Sequence, residues 1–359
     1  MRFLKKNVCE RILLILLGFI VSFILAELIL RGIESYHYKK PSKRILREFN
    51  NKIYVDERDK TYVFGHKPNV AVKMEIDSHK FSFHTNHHGL REKKDYHRLK
   101  KSIIFLGDSV IEGDLVDNEE TIDEIFEKNT KAVSLNFGVG SSNTVHEYYF
   151  LKNKYQSYYN TKLIVLGFCL NDFEQNYYLR YFDPSIGNWR LYKYIDQGIN
   201  SKRAAFSGIF KNLLKKSKFI SLIYSFAYKN ILRQEAANAP PYGYDNVSAL
   251  GKLYTESYIN KIKQYADNIG AGFVVAIFPQ ECQLSASYNN YRRMQDVLIE
   301  ILVKNGIRFI DLFDIFRAGY SSEPNIRLYN DDTHPNKKGN LLAGEYLAKE
   351  LIKLFPDVF

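Results

Sequence analysis

Ser102-Ile103-Ile104-Phe105-Leu106-Gly107-Asp108-Ser109 sets a short apolar run directly against a Gly-Asp-Ser turn. Four successive apolar positions leave no polar face, as expected of a strand covered on both sides. The pattern repeats downstream. Strands are expected at 132–137, 162–168, 272–278 and 307–312, and helices at 119–128, 144–155, 249–268, 290–304 and 336–354. Strands that alternate with helices imply a parallel sheet between two helical layers. Open sheets of this kind bind ligands beyond the carboxyl ends of their strands, where Ser109, Asn171 and His334 all fall.

Gly-Asp-Ser by itself says little, because small turn residues commonly follow apolar strands. Asp331-Asp332-Thr333-His334-Pro335-Asn336, more than two hundred residues later, gives it weight. A serine hydroxyl becomes a useful nucleophile when an imidazole takes its proton, and a carboxylate must hold that imidazole in the right tautomer. Ser109, His334 and Asp331 supply the three parts. Asp332 is adjacent and competes for the carboxylate role, although spacing to His334 favours Asp331. The same six residues would also serve as a capped helix start.

Four blocks in this order resemble the SGNH (GDSL-type) hydrolase family, in its membrane-anchored bacterial form: Ile104 to Gly113, Leu135 to Thr144, Val165 to Asp172 and Asp331 to Asn336. Phe64-Gly65-His66-Lys67-Pro68-Asn69 and Asn86-His87-His88-Gly89-Leu90-Arg91 also resemble leader segments of that subgroup. The resemblance spans about residues 60 to 355. It implies a flavodoxin-like three-layer sandwich and a nucleophilic Ser109. It also implies an oxyanion hole built from the Ser109 N–H, a backbone N–H of the second block and the Asn171 amide. Counted from Asn136, the usual donor glycine falls on Ser141 with Gly140 before it, so the donor stays open between the two. The implied activity is a serine esterase or O-acyltransferase, with acetyl the expected acyl group, acting on cell-surface polysaccharide or glycolipid. A non-catalytic glycan- or partner-binding module and a phospholipase are the alternatives. No cofactor or metal is expected. A transferase would draw its acyl group from a separate multi-spanning partner.

The remaining composition bounds the setting. The 359 residues carry a net charge of +11 without any nucleic-acid motif, which suggests attraction to anionic surfaces such as lipid headgroups rather than to nucleic acid. Ile12 to Leu30 is almost wholly apolar, about 28 Å long as a helix against a hydrocarbon core of roughly 30 Å. Arg31-Gly32-Ile33-Glu34 makes a poor cleavage site, so residues 1–31 read as a short tail and an uncleaved single-span anchor. Basic residues flank both sides and leave orientation undecided. The resemblance places the rest of the chain outside the cytoplasm.

Residues 32–60 read as a polar stalk within a 32–100 leader, whose Tyr62–Leu90 portion reads as a β-hairpin region. His84 to Gly89 reads as a solvated turn rather than a metal site. The domain proper is expected at 101–359, with a helical lid insertion at about 173–248. Its middle, Ser201 to Gln234, has no acidic residue and carries basic and apolar residues at helical spacing. Cys9, Cys169 and Cys282 are too scattered for a disulfide framework or a metal knuckle.

Overall fold

The computed structural model describes residues 11, 14–15, 17–31, 41–56, 64–76, 79–96, 98–176, 178–186, 188–194, 217, 247–284, 292–322 and 327–359. The chain divides into two units, residues 1–45 with 196–243, and residues 46–195 with 244–359.

In the first unit, residues 17–31 are helical and Leu17, Phe19, Ile20 and Leu28 are exposed. Among the described residues no helix is long and apolar enough to cross a membrane. Ile12, Leu13 and Leu16, part of the expected span, lie outside them. Arg31 pairs with Glu27 one turn back at 2.8 Å, and the Ser217 hydroxyl donates to Glu27 at 2.9 Å. The basic 201–234 stretch lies outside the described residues apart from Ser217.

The second unit begins at Leu46, where a stalk was expected. Pro41–Ile53 is a helix that buries Phe49, Asn50 and Ile53. Its polar composition conceals an apolar i, i+4 pair, which is enough to dock one helical stripe. Strands β1 (Tyr54–Asp56) and β2 (Phe64–His66) pair antiparallel, as do β3 (Ala71–Ile76) and β4 (His79–His84), which form the hairpin expected from the sequence. The His84–Gly89 segment is less solvated than expected, because Thr85 and Asn86 are buried. Asn86 Oδ1 accepts the N–H groups of His88 and Leu90, so a side chain replaces water inside the turn.

A five-stranded parallel sheet follows, from β5 (Ser102–Gly107), β6 (Ser134–Gly138), β7 (Thr161–Cys169), β10 (Gly272–Phe278) and β11 (Arg308–Asp311). The order across it is β11-β10-β7-β5-β6. Numbered among themselves, the five strands run 2-1-3-4-5 from β6, the flavodoxin-like arrangement. Alternate side chains feed two separate cores. Ile104, Leu106, Ile164 and Val275 pack with Phe150, Ile259 and Leu298 on one face. Ile103, Phe105, Val165 and Val274 pack with Phe126, Phe316 and Leu347 on the other. That is why β5 has no polar face.

Within 173–248 the described residues are not all helical. A one-turn helix, Asp172–Gln175, leads into an antiparallel hairpin of β8 (Tyr178–Asp183) and β9 (Asn188–Tyr194). Trp189 stacks edge-on to Tyr54 with ring centroids 4.9 Å apart, and Phe182 lies 5.7 Å from the same ring. Aromatic packing against the leader fixes this hairpin. The helix Phe313–Ser322 was also unforeseen.

Candidate active site

The site begins at the carboxyl end of β5. Asp108 caps the one-turn helix Ser109–Glu112, its Oδ1 accepting the Val110 N–H at 2.9 Å. That helix packs directly on β6. A Cβ at Gly138 would lie 2.1 Å from the Glu112 backbone nitrogen, so only glycine allows the approach. Asn136 ties the two together, donating to the Ile111 carbonyl at 2.8 Å and to Asp123 at 2.6 Å. Ser109 is left half-buried at the rim.

His334 arrives from a tight turn. The Asn330 N–H donates to the His334 carbonyl at 2.8 Å, and the Glu281 N–H donates to the Asp332 carbonyl at 3.0 Å, which ties the turn to the end of β10. Asp331 Oδ1 accepts the N–H groups of Thr333 and His334, each at 2.8 Å, and Oδ2 lies 2.7 Å from His334 Nδ1. A carboxylate only accepts, so Nδ1 carries the proton and Nε2 is free to accept from the serine. His334 Nε2 lies 2.8 Å from Ser109 Oγ. Asp331, rather than Asp332, holds the imidazole. The cap of the following helix, Lys337–Leu354, is Asn336 and not the Asp-Asp-Thr run, since Asn336 Oδ1 accepts from Lys338 and Gly339.

The electrostatics follow from these contacts. Partial burial works against the Asp331 charge, but the hydrogen bonds and charge of His334 and the Thr333 N–H hold its carboxyl well below the usual range. Burial likewise opposes a charged His334. The Asp331 hydrogen bond and the negative charges of Asp114, Asp331 and Asp108 outweigh it and raise the imidazole to about 9. Beneath the rim, burial, Asp172 and Asp108 push the Glu147 carboxyl up strongly, and Asp172 rises for the same reasons.

The sheet places the loops that carry the expected oxyanion donors on either side of β5. Strands β6 and β7 flank β5, with Gly107 opposite Gly138 on one side and Gly167 on the other. The loop after β6 docks on Gly107, whose carbonyl accepts from the Val139 N–H at 3.1 Å and the Ser142 hydroxyl at 3.2 Å. Gly140 sits against the Tyr54 hydroxyl and the Glu112 carboxylate, with no room for a side chain. Ser141 adopts φ +62°, the left-handed region. The Ser142 N–H closes the turn onto the Val139 carbonyl at 3.1 Å. Asn171 follows β7 and is part-exposed, with Oδ1 buried and lacking a hydrogen-bond partner. Gly140, Ser141 and Asn171 therefore bracket the strand end that carries Ser109.

A supporting shell went unread in the sequence. Glu112, at the far end of the Ser109–Glu112 helix, accepts from the Tyr54 hydroxyl at 2.7 Å and pairs with His66 Nε2 at 2.5 Å. Burial opposes its charge, but His66, Arg91 and Tyr54 together hold its carboxyl below the usual value. Buried Arg91 donates to the carbonyls of Glu112, Gly113 and Val116. Asp114 was also missed, one residue past the Ile104–Gly113 block. The leader motifs around His66 and Arg91 were the available signal. Among the described residues no group of three or more His, Cys, Asp or Glu side chains is placed to hold a metal ion. Cys169 and Cys282 are free.

No protein-family model and no curated protein matches the chain. Solved structures similar to it include a lipolytic protein of the G-D-S-L family from Veillonella parvula. It is 15% identical, with 70% of this chain and 98% of that one covered, at a TM-score of 0.41. An α/β hydrolase from the metagenome of Lake Arreo is 11% identical over 70% and 95% of the two chains, at 0.41. A carbohydrate esterase family 2 enzyme from Corynascus is 12% identical over 73% and 69%, at 0.40.

Proposed function

We propose that the chain is a membrane-tethered serine esterase or O-acyltransferase that acts on acyl groups of cell-surface polysaccharide or glycolipid. One observation carries the reading, the unbroken chain from Asp331 through His334 to the Ser109 hydroxyl. His334 Nε2 takes the Ser109 proton as Oγ attacks the ester carbonyl, and the carbonyl oxygen becomes an oxyanion. The N–H groups of Ser109 and of Gly140 or Ser141, with the Asn171 amide, are the donors for it. Each fixed donor of this kind is worth about 3 kcal/mol in the transition state. The imidazolium then protonates the departing alkoxide, which leaves an acyl group on Ser109. In the second half His334 deprotonates water or a sugar hydroxyl, which attacks the acyl-enzyme and frees the serine. Water gives an esterase, and a sugar hydroxyl gives a transferase fed by a multi-spanning acyl-donor partner.

Tethering is supported by the apolar 12–30 stretch and by the exposure of Leu14, Ile15, Leu17 and Phe19 within it. The surface setting and extracytoplasmic location rest on the family resemblance of the four motif blocks.

A fluorophosphonate probe tests the nucleophile. The wild-type chain should label and Ser109→Ala should not, and equal labelling of the two would overturn the proposal. Mass spectrometry of surface glycans tests the substrate. A deletion strain and a Ser109→Ala strain should share a change in acyl decoration that the parent lacks.

A further inference from the structure

The loop that follows the nucleophile's helix is held with more force than a connecting turn needs. Gly113 and Leu115 both lie in the left-handed region, at φ 79° and 63°, with Asp114 between them. Leucine rarely adopts that conformation, and such a residue persists only where surrounding contacts over-determine it. Those contacts are present. Arg91 binds the carbonyls on either side, at Glu112, Gly113 and Val116. The Asp114 N–H itself donates to the Ser109 carbonyl at 3.0 Å. The result of this fixation is one carboxylate facing the site. Asp114 Oδ2 lies 4.0 Å from His334 Nε2, the nitrogen that also meets Ser109 Oγ, and the Asp114 side chain is 37% exposed.

We propose that Asp114 is a second carboxylate partner of His334, which competes with the Ser109 hydroxyl for Nε2 and so governs how much enzyme has an imidazole free to act as base. The inference rests on the serine-nucleophile reading above. Asp331 grips Nδ1 and leaves Nε2 to the chemistry. Asp114 acts at Nε2 itself, as a positioning residue. It favours the imidazolium, which delays activation of Ser109 but steadies the charged imidazole each time one forms.

Other charges face the pair. Asp108 approaches His334 from the β5 turn, and Glu112 and Arg91 lie near Asp114. Arg327, paired with Glu281, lies beyond Asp331. The imidazole's elevation to about 9 fits the sum of the three aspartates around it.

The test is the rate of fluorophosphonate labelling against pH for the full-length wild type, Asp114→Asn and Asp114→Glu. Wild-type labelling should climb with a midpoint near the His334 value of about 9. In Asp114→Asn the midpoint should fall by about one unit, since an opposite charge at this range shifts a titrating group by that order. Its alkaline plateau should drop several-fold, so the two profiles cross. Asp114→Glu, which restores the charge, should move the midpoint back toward wild type. A folded Asp114→Asn variant whose midpoint matches wild type overturns the role of Asp114 while leaving the nucleophile intact. A wild-type chain that no probe labels at any pH overturns the nucleophile reading itself. Should Asp114→Asn fail to fold, imidazole NMR of the wild type and Asp114→Ser, assigned against His334→Gln, takes its place, and equal His334 midpoints in the two would overturn the role of Asp114. A His334 midpoint near the ordinary histidine value of about 6.5 sinks the proposal.

Discussion

The turn that carries His334 and the leader that grips the Ser109–Glu112 helix support the same site by opposite means. The turn is local and half in solvent, with imidazole and carboxylate three residues apart and Asp331 exposed. The leader is remote and buried. Tyr54, His66 and Arg91 reach Glu112 across 58, 46 and 21 residues, and all three are buried. A short-range hydrogen bond can orient a group that must change its charge during turnover. A buried polar clamp holds only as long as every partner stays in place, because each orphaned group keeps its desolvation penalty. The turn should therefore govern rate, and the clamp should govern stability.

The largest expected effect falls on the turn. Asp331→Asn keeps the shape but removes the acceptor that fixes the Nδ1 proton, so kcat/KM toward an activated ester should fall about 10⁴-fold. The melting temperature should also fall near neutral pH, since a carboxyl held below its ordinary range stabilises the fold, but by less than in the Arg91 variant below. A loss of less than tenfold would remove Asp331 from the catalytic set and break the comparison at its first term.

Arg91→Met asks the converse question. Its guanidinium serves three carbonyls from a buried position, and methionine would leave them without a donor. We expect a loss of about 3–5 kcal/mol, the range for breaking a buried charged network, read from urea denaturation. Below its melting temperature the variant should keep more activity than Asp331→Asn. A variant as stable as wild type would mean that the leader merely decorates the helix.

This contrast also explains what the sequence made legible. The strand 102–107, the alternating helices and the Asp-x-x-His turn are written in contiguous residues, and the structure has them within a few positions. Ser109 and the Asp331–His334 turn could be paired because each carries its own local signature, and the two meet at 2.8 Å. The clamp has no such signature. Glu112 gains meaning only when His66 and Arg91 fold over it, and the helix 41–53 shows its buried Phe49 and Ile53 only once there is a core to receive them. The β8/β9 hairpin was read as helical lid because aromatic contacts with Tyr54, rather than periodicity, decide its form.

Glu147 and Asp172 lie beneath the rim, buried like the clamp but without its countercharges. Thr144 donates to Asp172 Oδ2 at 2.8 Å, while Asp172 Oδ1 and Glu147 Oε2 have no partner among the described residues. Both carboxyls are raised by burial and by neighbouring acids. The folded chain then keeps protons that the unfolded chain sheds above about pH 4. Stability should consequently decline as pH rises from there toward the folded-state value, by up to about 1.4 kcal/mol per pH unit for each such proton. Glu147→Gln removes one of these terms, so its advantage over wild type in thermal melts should widen from pH 5 to pH 8. An advantage that stays flat with pH would show that Glu147 is ionised in the fold.

The smallest effect lies where sequence and backbone disagree. Ser141 occupies the third position of the turn Val139–Ser142 with φ +62°, and such a position favours glycine. A residue with a Cβ pays roughly 1 kcal/mol there. Ser141→Gly should relieve most of that and stabilise the folded chain by a little under 1 kcal/mol, because glycine's freer unfolded state takes part of it back. A backbone donor asks nothing of the side chain, so kcat/KM should stay within about twofold if Ser141 contributes only its N–H. A gain in stability with a large loss of activity would assign the Ser141 hydroxyl a role that the turn geometry alone does not require.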